Sequence, residues 1–107
     1  MFTSNKTYTH DDTEIILSVS NYATYNNLAL VANTEDDDSP YASFSVNIKP
    51  LPANHFAADV NNHPDIETWL ETNNIATNTN QKTSSGLVTY PIFKLTDEFL
   101  DSLDLPG

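Results

Sequence analysis

The chain has 107 residues, 38% apolar and 10% aromatic, which suits one hydrophobic core and a single acidic domain over residues 1–107. Four lysines, no arginine and 15 carboxylates give a formal charge of −11. That balance excludes the basic patch that nucleic acid or an anionic membrane demands, and any charged partner is expected to be a basic protein. Cysteine is absent, so disulfides and thiolate chemistry are excluded and a cytoplasmic location is expected.

Lys6–His10 is β-prone, and Asp11-Asp12 after it predicts a turn. Thr13–Ser20 predicts a strand with Ile15, Leu17 and Val19 on one face. Asn21–Asn27 reads as a polar loop anchored by Tyr22 and Tyr25. The alternation of Leu28, Leu30 and Ala32, then of Ala42, Phe44, Val46 and Ile48, predicts an antiparallel hairpin. Its strands run over Leu28–Asn33 and Tyr41–Ile48, its tip is the acidic segment Glu35–Pro40, and Pro50 and Pro52 end it.

Pro64 suits the first position of a helix whose buried stripe is Ile66, Trp69 and Leu70 and whose stop is Asn73-Asn74. Ala76–Ser85 reads as a polar loop. Gly86–Leu95 predicts a strand, and because Pro91 donates nothing to a ladder, that strand is expected at an edge or with a bulge. Thr96 then caps a last helix, Asp97–Leu103, with Phe99, Leu100 and Leu103 inward and Asp97, Asp101 and Asp104 outward. The fold expected is α+β: a mostly antiparallel sheet of four to five strands with two short helices packed on it. The first residues lack the apolar core of a signal peptide, and no apolar run has the length of a membrane span.

Catalytic chemistry has little to stand on. His55, Asp59 and His63 are spaced by four, as ligands on one helical face would be. Pro52, Asn61-Asn62 and Pro64 oppose a helix there, so these residues read as a loop with solvated histidines. The run Glu35–Asp38 lacks the ligand alternation and the glycine of a calcium loop. Two glycines cannot build a phosphate-cradling loop, and Ser84-Ser85-Gly86 is no nucleophile elbow. No enzyme, cofactor or metal is therefore expected. What remains is acidity. Asp97, Glu98, Asp101 and Asp104 form one candidate partner-binding flank, Glu35, Asp36, Asp37 and Asp38 another, and Asp65, Glu67 and Glu71 line the first helix. Such stripes imitate part of the charge of a duplex, or serve solubility alone.

Asn21-Tyr22-Ala23, Asn26-Asn27-Leu28-Ala29, Tyr41-Ala42 leading to Val46-Asn47, Leu51-Pro52, Gly86 and Thr89-Tyr90-Pro91 carry a resemblance. In these segments the sequence resembles the Domain of Unknown Function 4313 family, small proteins of plasmids and mobile elements of Gram-positive bacteria. The resemblance spans nearly the whole chain. It departs at the hairpin turn, where the family carries a glycine and this chain has Asp38-Ser39-Pro40. The family supplies no activity and no functional residue. It implies a setting in which small acidic proteins counter host defence, such as restriction or CRISPR nucleases. The expectation is a non-enzymatic acidic protein acting by charge contact with a basic protein. The alternative is an assembly module that self-associates through the strand at Leu87 to Leu95.

Overall fold

A computed structural model describes residues 2–104. Its ten strands, numbered in chain order, form two sheets where the sequence predicts one. The first sheet centres on β3 (Thr13–Asn21), paired along its length with β4 (Leu28–Thr34). The other edge of β3 is shared by β2 (Tyr8–His10) and β1 (Phe2–Ser4). Where these two short strands part, the buried Ser4 hydroxyl accepts the Leu17 N–H (3.2 Å) and donates to the Lys6 carbonyl (3.0 Å), so the ladder keeps its partner. β5 (Pro40–Ser43) closes one edge of this sheet and β10 (Leu103–Asp104) the other.

The run Tyr41–Ile48 is not one strand. It breaks at Phe44, after which β6 (Ser45–Val46) joins the second sheet. Phe44 donates its N–H to Leu30 in the first sheet (2.9 Å) and accepts from the Asp59 N–H on the side of the second (3.0 Å). The Ser45 hydroxyl takes over the Leu30 N–H at 3.0 Å. Alternation alone does not reveal such a switch, because Phe44 still points into the core.

The second sheet runs β6, β7 (His55–Ala58), β9 (Val88–Leu95), β8 (Ala76–Ser85). The segment expected to be a polar loop is therefore its longest strand. Its residues are polar on both faces, and it is held by the apolar β9 beside it, with only Ala76 and Thr83 buried. β9 is an inner strand, not an edge, so both its sides are already occupied and it offers no free edge for self-association. Pro91 is accommodated because the β7 ladder ends at Ala57 opposite Ile92, one residue short of it. A bulge does occur, but in the partner strand between Asn78 and Gln81, with Asn80 left-handed (φ 67°). Gly86 makes the β8–β9 turn with φ 60°, a conformation that side chains resist.

The helix α1 spans Ile66–Thr72, two residues later than Pro64 suggests, because Pro64 lies in the turn that precedes the N-cap Asp65. Ile66 and Leu70 are fully buried. Trp69 is half-buried, its indole N–H donating to the Thr9 carbonyl at 2.8 Å. Thr96 caps α2 (Asp97–Asp101) as expected, accepting the Phe99 N–H at 3.0 Å. That helix stops at Asp101 instead of Leu103, since Leu103–Asp104 pair with β1. Asp97, Asp101 and Asp104 consequently do not share one helical stripe. Ile15, Leu17 and Leu30 from the first sheet pack with Phe56, Phe93 and Leu95 from the second and with Phe99 in one continuous core. Among the described residues no helix is long and apolar enough to cross a membrane.

Candidate functional site

Two turns of the first sheet carry most of the acidity. Asp11 and Asp12 form the two-residue connection between β2 and β3, with φ of 48° and 63°. Positive φ at both central positions is the tight hairpin turn that follows strand twist, and aspartate tolerates it. The second turn joins β4 to β5. There Asp38 takes the left-handed conformation (φ 55°), so the turn does without a glycine. The Asn33 amide donates to Asp38 at 3.0 Å, the Thr34 hydroxyl donates to Asp37, and the Ser39 N–H reaches Asp37 at 3.2 Å. Hydrogen bonds from Thr34 and then from Ser39 hold the Asp37 carboxyl below the usual carboxylate value.

The β3–β4 register, which sets Ile15 against Thr34, brings the two turns side by side, and the Glu35 N–H donates to the Glu14 carbonyl at 3.0 Å. Asp11, Asp12 and Glu14 thus join Glu35, Asp36, Asp37 and Asp38 at one end of the sheet. Asp65 adds an eighth carboxylate from the start of α1, 3.1 Å from a nitrogen of His10. Among the described residues no lysine pairs with a carboxylate; both close ion contacts belong to His10. Lys6 lies instead over the Tyr8 ring, 5.3 Å from its centre.

The other predicted flank is elsewhere. Asp97, Glu98 and Asp101 are exposed on α2, and Asp104 is exposed on β10, at the edge of the sheet opposite β5. Glu98 accepts from the Asn74 amide at 2.8 Å. The two predicted acidic groups are therefore separate surfaces. His55, Asp59 and His63 are not gathered either. His55 Nδ1 bonds the Ala53 carbonyl at 2.8 Å, the buried Asp59 accepts from the Asn62 amide at 2.8 Å, and the His63 ring packs on Phe44 with centres 5.0 Å apart.

His10 is the residue that sequence reasoning passed over. It is only 2% exposed and lies beneath the Asp11-Asp12 turn, among the rings of Tyr41, Phe44, His63 and Trp69. The signal was its alternation with Tyr8 in a β-prone run, which points both side chains at the core.

At the far end of β3 and β4 lies a cleft of about 650 Å³, lined by Phe2, Tyr25, Asn26, Leu51 and Asn54 among others. The buried Asn27 beneath it is fully engaged. Its amide donates to Asn47 Oδ1 (2.9 Å) and the Lys49 carbonyl (2.6 Å), and its oxygen accepts the Leu51 N–H (2.9 Å). Nearby, the Tyr22 hydroxyl is 2.9 Å from that of Ser45. The residues that carry the resemblance at this end thus hold the loop to the sheet junction.

The profile of the family described as domain of unknown function (DUF4313) matches residues 16–105. The chain belongs to this family. The match contains the Asn21–Asn27 loop, the Glu35–Asp38 turn and α2, while His10, Asp11, Asp12 and Glu14 precede it. No curated protein and no solved structure matches the chain.

Proposed function

We propose that this chain is a non-enzymatic binding protein that engages a basic partner protein through the acidic end of its first sheet. The observation that supports the reading is the convergence of two hairpin turns and Asp65, which sets eight of the 15 carboxylates at one end with no lysine paired among them. Unneutralised charge of one sign steers an oppositely charged surface and raises its association rate. The setting implied by the family resemblance, a plasmid or other mobile element, makes a host-defence protein the partner in this reading, with blockade of restriction or CRISPR nucleases as its purpose.

The test compares pull-downs from host lysate. The triple variant Asp12→Asn, Glu35→Gln, Asp36→Asn removes three charges whose side chains make no hydrogen bond in the fold. The expected outcome is capture by the parent at low salt, loss of that capture with the triple variant, and its retention with Asp97→Asn plus Asp101→Asn. Captured partners should be released as salt shortens the screening length. Equal recovery by the parent and the triple variant overturns the reading.

A further inference from the structure

We propose that His10, Asp65 and Asp11 form a binding site for a divalent cation of the zinc or manganese class. Their ligand atoms all lie within 4.8 Å of one another. Exposed carboxylates alone signify little; His10 is what sets this cluster apart. Its Nε2 is buried and has no hydrogen-bond partner. Asp65 Oδ2 stands 3.1 Å from that nitrogen, a hydrogen-bonding distance, yet off the axis along which an N–H would donate. Nitrogen and oxygen ligands of one metal ion, each about 2.0–2.2 Å from it, sit at such a separation with the ion, not the oxygen, on the nitrogen's axis.

The ring's other side sets the tautomer. The Tyr41 hydroxyl donates to the His10 carbonyl (3.2 Å), so His10 Nδ1–H donates to the hydroxyl oxygen (2.8 Å), and in the neutral ring the lone pair falls on Nε2. A second bond that fixes orientation and tautomer is what ligating histidines ordinarily have. Without a cation between them, that lone pair faces a carboxylate oxygen. Asp65 adds an independent sign: it is the N-cap of α1, but its side chain makes no capping bond. Asp11 Oδ2 is 3.7 Å from Nδ1, and its side chain, 75% exposed, is free to turn toward the same ion. One imidazole and two carboxylates suit zinc or manganese, with zinc the tighter; calcium takes six to eight oxygens.

The experiment is a calorimetric titration of the chelator-stripped full chain with zinc chloride. A second titration with cobalt chloride reads quenching of the single tryptophan, whose ring centre is 5.2 Å from that of His10. One ion should bind per chain and quench Trp69. Asp65→Asn should weaken zinc at least tenfold, Asp11→Asn by less, and Asp12→Asn, an equal loss of charge in the same turn, less than twofold. Asp11, Asp12 and Asp65 are exposed, and unchanged circular dichroism in the absence of metal shows that the variants fold. Absence of saturable one-to-one binding overturns the proposal, as does equal weakening by all three substitutions, or binding lost only with His55→Ala or His63→Ala. The result is independent of whether a basic protein binds the acidic end.

Discussion

The two ends of the first sheet use the same backbone device for opposite purposes. At the acidic end, Asp11, Asp12 and Asp38 adopt left-handed conformations; at the cleft end, Tyr25, Asn26 and Asn54 do so. Near the cleft the polar side chains serve the protein itself. Asn27 satisfies three groups of a loop that has no ladder, and the Asn21 amide closes onto the Asn26 carbonyl at 3.1 Å. At the acidic end, Asp37 and Asp38 are also engaged, by Asn33, Thr34 and Ser39, but Glu35, Asp36 and Asp12 make no such bond. The contrast teaches that a turn's charges become available to a partner where the backbone is already satisfied by ladders. Where the backbone is not satisfied, side chains are consumed in holding it.

The sharpest way to break this comparison is Asn27→Ala. The substitution orphans the Leu51 N–H and the Lys49 carbonyl, and with each such group costing about 1–3 kcal/mol, a loss of about 3 kcal/mol is expected. Thermal melting should fall by roughly 10–20 °C. A melting temperature within a few degrees of the parent would mean that the cleft end is no more structural than the acidic end.

A smaller effect is expected from the triple variant Asp12→Asn, Glu35→Gln, Asp36→Asn. Its stability should stay within about 0.5 kcal/mol of the parent or rise, because repulsion among like charges falls. A chemical denaturation midpoint clearly below the parent's would show that these charges are structural after all.

The smallest effect separates Asp37 from its neighbours. Its carboxyl is held low in the fold by Thr34 and Ser39, so its contribution is present above the unfolded carboxylate value and is lost as pH falls through the lower folded value. Thr34→Val should reduce the loss of melting temperature on acidification below pH ~4, where free carboxylates titrate. An unchanged acid limb in that variant would remove Asp37 from the turn's support.

Much of the fold was legible where apolar alternation met a clean stop. β3, β4 and β9 declared themselves through Ile15-Leu17-Val19, Leu28-Leu30-Ala32 and Val88–Leu95. β8 did not, because a strand that borrows its apolar surface from a neighbour has no period of its own. The break at Phe44 was hidden because its side chain obeys the alternation while its backbone changes sheets. β1 and β10 are three and two residues long, too short to leave any pattern. The acidic turn at Glu35–Asp38 could be read directly, whereas its convergence with Asp11 and Asp12 is a product of strand register. The surroundings of His10 come from residues 31 and 55 positions away, Tyr41 and Asp65, beyond the reach of any local motif.

Phe44 also determines how this protein opens. Two sheets that merely pack face to face can separate and leave each ladder intact, so their amides exchange with solvent at different rates. Here one peptide unit on each side of Phe44 belongs to a different sheet, with its N–H answered by Leu30 and its carbonyl by Asp59. Freeing either partner withdraws a rung from the sheet it serves and unseats the same buried phenyl ring. The N–H groups of Phe44 and Asp59, though 15 residues apart in the chain, therefore lose protection in one event, and the two sheets form a single cooperative unit of unfolding.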